Sequence, residues 1–147
     1  MNISGNATLY VTGNVLMQSQ GQGNSFKTSS INIGGNYNFK IYVGGSSAVF
    51  TQINGAGNPN NFQYYGLPSN TSMSWGGNSA YVGTVYAPQA TFTLGGGGNN
   101  TFDFQGACVV KQVTMNGHFN FHYDENLRRA GPWSGFRVTS WRELPRT

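Results

Sequence analysis

The segment GTVYAPQATF at residues 83–92 lies over GACVVKQVTM at residues 106–115, its apolar positions falling on small or apolar ones except Pro88, which falls on Lys111. Val85 falls on Cys108, Ala87 on Val110 and Ala90 on Val113. Segments that share a period-two pattern and recur roughly 20 to 30 residues apart predict parallel strands stacked about 4.8 Å apart. Stacking of successive coils also sets Phe102 and Phe104 above or below Phe119 and Phe121, an aromatic ladder in the core. It also pairs Asp103 with Asn120.

Outward from this pair, a phrase of apolar-x-apolar-x-Gly-Asn/His-x-x-apolar recurs along the chain. It reads INIGGNYNF (31–39), MSWGGNSAY (73–81), VTMNGHFNF (113–121), a degenerate NISGNATLY (2–10), and ATFTLGGGGNNTFDF (90–104) with a glycine insert. Each copy is strand, Gly-Asn corner, strand, and such units bury a face only against their neighbours. The expected fold is all-β, a single-domain right-handed parallel β-solenoid over residues 1–147. Its coils occupy about 1–127 and a Trp-rich capping tail about 128–147. The alternative is an antiparallel β-sandwich, which also alternates and also uses Gly-Asn turns.

Composition agrees with an all-β chain. The 147 residues include 22 Gly and only 8% charged residues, against a usual charged fraction of about 25%. Before Asp103 only Lys27 and Lys40 carry a fixed side-chain charge. Low charge with amide-rich strands is also the composition of self-assembling β-structures. Half of the formal net charge of +4 comes from a tail where Arg128, Arg129, Arg137, Arg142 and Arg146 mix with Asp124, Glu125 and Glu143, and the rest from Lys27, Lys40 and Lys111 against Asp103. The body has no basic stripe, which argues against nucleic acid. Cys108 is the only cysteine, so no intramolecular disulfide forms, and its alignment with Val85 predicts a small buried side chain. No apolar run is long enough to span a membrane. Residues 1–3 open inside a repeat copy, so an export signal or anchor is expected upstream.

Along the chain, residues 1–17 read as a first coil and 18–30 as a polar surface loop. A second coil runs over about 31–53, and NGAGNPNN (54–61) demands turns. FQYYGLPSNTS (62–72) follows, with aromatics that fit neither strand phase. Residues 132–144, with Trp133 and Trp141, are expected to cap one open end.

Three strings, VYAP (85–88), NGHFNFHYDENL (116–127) and SWREL (140–144), resemble an uncharacterised β-solenoid domain. That domain lies at the C-terminal end of pilus-assembly-like and other exported proteins of Gram-negative bacteria. The resemblance covers about residues 73–144, more weakly upstream. It implies an envelope or appendage location and a structural or adhesive role, with no catalytic activity. The chain lacks the N-terminal prepilin-type hydrophobic helix common in such proteins.

Candidate sites were weighed by chemistry. His118 and His122 alternate with Phe119 and Phe121, and with Asp124 nearby they make a partial metal site. A polar strand end is the simpler reading. A glycosidase needs paired carboxylates at a set separation; the chain has only Asp103, Asp124, Glu125 and Glu143. No nucleophile motif is present, and GGGG at 95–98 lacks the lysine of a phosphate loop. No catalytic residue and no cofactor are therefore assigned. Tyr64, Tyr65 and Trp75 are candidate ligand-binding aromatics for glycans. The expected function is structural: an extracellular surface module that self-assembles with neighbouring subunits or displays other parts, with a glycan-binding adhesin as the alternative. Its assembly edge is the first coil, through Ile3, Leu9, Val11 and Val15.

Overall fold

The computed structural model describes residues 1–18, 29–77, 79–95, 99–125 and 127. The capping tail expected at 128–147 and most of the 18–30 loop lie outside the described residues. Twelve strands are present in this part of the chain. In chain order they are β1 (Asn2–Ile3), β2 (Ala7–Val11), β3 (Val15–Leu16), β4 (Ile31–Ile33), β5 (Phe39–Val43), β6 (Ser47–Phe50) and β7 (Ile53–Asn54). After a 3-10 turn, Pro59–Asn61, come β8 (Phe62–Gly66), β9 (Ser72–Trp75), β10 (Tyr81–Gly95), β11 (Thr101–Asn116) and β12 (His118–Tyr123).

Every strand pairing among these residues is parallel. Paired residues lie from 17 apart, as for Thr101 and His118, to 33 apart, as for Val15 and Ala48. An antiparallel sandwich therefore does not describe them. One sheet has the order β1-β4-β7, the other β2-β5-β8-β10-β9-β6-β3, with β11 and β12 stacked beyond β10. Because β10 pairs β8 along its first half and β9 along its second, the larger sheet curls round one core. For brevity, β1–β3 are called the first rung, β4–β6 the second and β7–β9 the third.

Alternation makes the core. Along β5, Phe39, Ile41 and Val43 point inward and are buried, while Lys40 and Tyr42 between them stay partly exposed. The inward aromatics form a continuous chain of edge and stacked contacts. Phe62 meets Phe50 edge-on at 5.7 Å, Tyr81 meets Trp75 edge-on at 5.2 Å, and Tyr81 stacks on Phe104 at 5.1 Å. The expected ladder is present: Phe102 pairs with Phe119 and Phe104 with Phe121, the latter rings stacked at 4.2 Å.

The overlay that opened this account holds up to a corner and then slips. Gly83 pairs with Gly106, Val85 with Cys108 and Ala87 with Val110, as expected. Beyond the corner, Phe92 rather than Ala90 lies beside Val113. Three residues, Pro88 to Ala90, turn the corner in β10, whereas Lys111 alone turns it in β11. Proline has no N–H for the ladder, so this corner leaves the pairing. The slip is by two residues, an even number, and so every inward side chain stays inward.

Two further expectations are corrected. The aromatics of 62–66 do fit a strand phase: Phe62 and Tyr64 point inward, and Tyr65 points out. Tyr64 can be inward because its hydroxyl donates to Asn70 Oδ1 at 2.8 Å, and the fully buried Asn70 donates through Nδ2 to the Gly45 carbonyl. That polar pair ties the turn after β8 to the rung below. Cys108 faces the core beside Val85 but is only half-buried, and burial raises its thiol pKa.

Buried phenols give the protein an alkaline limit. Desolvation raises Tyr64, Tyr65 and Tyr81 above the ordinary value of 10.0, most strongly for Tyr81, which is fully buried. Each holds its proton more tightly folded than unfolded. The corresponding stability is complete below pH 10.0 and is lost as pH rises through and beyond it. The urea midpoint is expected to fall steeply from neutral pH to about one unit above the ordinary tyrosine value. Tyr81→Phe should move that fall to higher pH, and an unchanged alkaline limb in this variant would show that Tyr81 does not set it.

Candidate functional site

The first rung is where the ladders stop. Among the described residues β1 pairs only with β4, β2 only with β5, and β3 only with β6, so all three strands of this rung are sheet edges of that part of the chain. A free edge presents unpaired N–H and C=O groups that template another strand. Ile3, Leu9, Val11 and Val15 all sit on this rung. Leu9 is inward by register, over the buried Ile41, yet 39% exposed, and among the described residues no further strand pairs beyond it. An open cavity of about 280 Å³ at this end is lined by Leu9, Val11, Val15, Met17, Ile41 and Phe50 among others. The core is thus open at its end.

Two side-chain ladders run out at the same place. Asn54 Nδ2 donates to Asn32 Oδ1 at 2.7 Å, and Asn32 Nδ2 donates to Asn2 Oδ1 at 2.8 Å, following the register of β7, β4 and β1. On the outer face, Tyr10, Tyr42 and Tyr65 stack with ring centres 4.7 Å apart and planes within 12°. This is the spacing of neighbouring strands, about 4.7–4.9 Å, so identical residues at one register position stack without adjustment. Tyr10 is 70% exposed, one face against Tyr42 and no ring beyond it. Tyr86 continues the row at the other end, but tilted by 50° with centres 6.4 Å apart.

This tyrosine row escaped the sequence reading, although a signal was there. An apolar-Tyr-small or apolar triplet closes each strand: LYV at 9–11, IYV at 41–43, YYG at 64–66 and VYA at 85–87. Stacked face to face, Tyr42 and Tyr65 offer edges and hydroxyls to solvent, and only Tyr10 at the end of the stack also presents a face.

Of the three aromatics expected to bind ligand, two are misplaced for it. Tyr64 is 0% and Trp75 1% exposed, so both are core residues, and the indole N–H of Trp75 donates to the Ser79 carbonyl. The alternation that puts them inward outweighs their location beside a polar turn. Tyr65 alone of the three reaches the surface.

The candidate metal residues are not brought together. His122 Nε2 lies 3.2 Å from Asp103 Oδ1, which also accepts from Asn120 Nδ2, and no group of three His, Cys, Asp or Glu suited to a metal occurs among the described residues. His118 pairs in register with Thr101, and Asp124 lies beyond the end of β12. Both members of the His122–Asp103 pair are well exposed, so it contributes at most about 1 kcal/mol.

Comparison with known proteins adds a family. The profile of a domain of unknown function, DUF7305, matches residues 22–130, well over half of the chain. The chain belongs to the DUF7305 family. No curated protein and no solved structure matches it. The DUF7305 match begins after the first rung, so the open edge lies outside the matched region, whereas β4 to β12 lie inside it. Among the described residues, no helix of this DUF7305 chain is long and apolar enough to cross a membrane.

Proposed function

We propose that this chain is a structural module, a right-handed parallel β-solenoid displayed at a bacterial surface or in a pilus-like appendage. On this reading the module is not an enzyme; it acts by docking its first rung against a neighbouring subunit. The observation that carries the reading is the coincidence at one end of three strands paired on one side only among the described residues, an exposed inward leucine and the ends of the Asn and Tyr ladders. An added rung there would gain main-chain hydrogen bonds, as in strand addition to other sheet edges. It would also cover apolar surface worth about 25 cal/mol per Å². The resemblance to exported pilus-assembly-like proteins supports the location.

Light scattering across concentration, with negative-stain imaging of the same sample, is expected to give defined oligomers or filaments. Leu9→Lys sets a charge at the open end of the core and is expected to return the protein to monomer with its circular dichroism unchanged. Leu67→Lys changes an exposed leucine away from the edge and is expected to leave the mass unaltered. A wild-type monomer at all concentrations, or assembly that survives Leu9→Lys, refutes the edge as the contact.

A further inference from the structure

A second surface feature is independent of the first rung. Where the tyrosine row opens between Tyr65 and Tyr86, a cleft of about 280 Å³ lies on the outer face, with Tyr123 and Leu127 also lining it. The tilt of Tyr86, 52% exposed, frees ring surface that the tighter part of the row keeps covered. Polar groups line the same cleft: Asn60, Gln63 and Thr84. We infer that this cleft binds an uncharged pyranose residue of a glycan.

Three observations select that chemistry. First, among the described residues the lining has no charged side chain, and burial raises the Tyr65 phenol, keeping it neutral. An anionic ligand would find no cation to pair with and would lose hydration without compensation. Second, aromatic and aliphatic walls stand beside amides and a hydroxyl, which fits a ring that has a C–H face and hydroxyl edges.

Third, the polar groups are already held and one of them lacks a donor. The Tyr65 hydroxyl donates to Gln63 Oε1 at 3.1 Å, and Gln63 Nε2 donates to the Asn60 carbonyl at 3.0 Å, which fixes the amide of the largely buried Gln63. Asn60 Oδ1 is removed from water with no hydrogen-bond partner. An unsatisfied acceptor of this kind costs about 1–3 kcal/mol. Asn60 lines the cleft, so a turn of its side chain would bring this acceptor to a sugar hydroxyl, which is a donor and can relieve it. A proline-rich peptide, the other common occupant of tyrosine-lined grooves, offers mostly carbonyl acceptors and cannot.

Affinity electrophoresis through gels containing neutral polysaccharides (xyloglucan, galactomannan or mixed-linkage β-glucan) tests the assignment, with alginate as the anionic comparison. Calorimetry with a polyproline peptide runs alongside. The wild-type chain is expected to be retarded by at least one neutral polysaccharide. Tyr86→Ala and Asn60→Ala are each expected to weaken that retardation about tenfold, with circular dichroism and solution mass unchanged. No retardation by any of the three, retardation indifferent to both variants, or binding to alginate or polyproline alone overturns the assignment. Solution mass reports separately on the first rung, so either proposal can fail without the other.

Discussion

Gly106→Ala is expected to cost about 4 kcal/mol, a large part of the stability of a domain this size. Gly106 has φ +146°, a conformation that side chains rarely adopt, and it lies in register with Gly83. A Cβ at Gly106 would sit 1.9 Å from the Gly83 carbonyl oxygen, and that oxygen belongs to backbone already paired within the sheet. Nothing can move aside without separating β10 from β11, the most extensive pairing in the molecule. Gly83 is tight in turn: its Cβ would approach the Phe62 carbonyl to 2.9 Å. The column of Phe62, Gly83 and Gly106 therefore passes from one large side chain to two successive glycines, whose backbones lie too close for a Cβ on either. Gly95→Ala is the control, because a Cβ there meets nothing nearer than 3.8 Å, and it is expected to change stability by no more than about 0.5 kcal/mol. Urea denaturation of the three proteins checks both. Equal midpoints for Gly106→Ala and wild type would refute the Gly83–Gly106 register.

Trp75→Ala is expected to cost about 3–5 kcal/mol, through lost burial and the cavity left behind. Trp75 is flanked in register by Phe50 on one side and Leu94 on the other, meets Tyr81 edge-on, and is 1% exposed. Three successive rungs thus pack through one side chain, and the hole cannot close without drawing strands together past their fixed spacing. Trp75→Phe keeps the aromatic contact but loses the indole N–H bond to Ser79, so it should recover most of the loss. The measurement is again the urea midpoint, with the slope unchanged if unfolding stays two-state. The same result decides how a binding assay on Trp75→Ala is read. Any loss of ligand in that variant would come from unfolding, whereas Tyr86, exposed on the outer face, can be changed without opening the core.

The family match and the ladders bear on the open rung together. The DUF7305 region starts at residue 22, and the second rung inside it already has every inward position of β5 buried. The first rung extends that core by one layer and then leaves its own layer uncovered. An edge this apolar, with Leu9 and Leu16 exposed, is unusual to leave bare.

Much of the fold was legible in local pattern. Period-two alternation is a property of each strand by itself, so it identified the strands and their inward residues. Repetition of that alternation with Gly-Asn corners pointed to like segments stacking in parallel. Phe102 over Phe119, Phe104 over Phe121 and Asp103 beside Asn120 followed from counting alone, because each trio is consecutive in one strand and the two share a single offset.

Features that depend on how one rung lies on the next were decided only by tertiary structure. The two-residue slip after Ala87 arises in a corner, where chain length is set by what fits outside the ladder and not by alternation. In Tyr64-Tyr65, two chemically identical neighbours must face opposite ways, and sequence cannot choose between them. The choice is made by Asn70, six residues on, which gives the buried hydroxyl of Tyr64 a partner. The tyrosine row needs neighbouring rungs in register before one ring meets the next, and its opening at Tyr86 creates the cleft. Alternation within a strand is local and survives in the sequence; registration between rungs is a balance of packing over the whole stack, and only the folded chain expresses it.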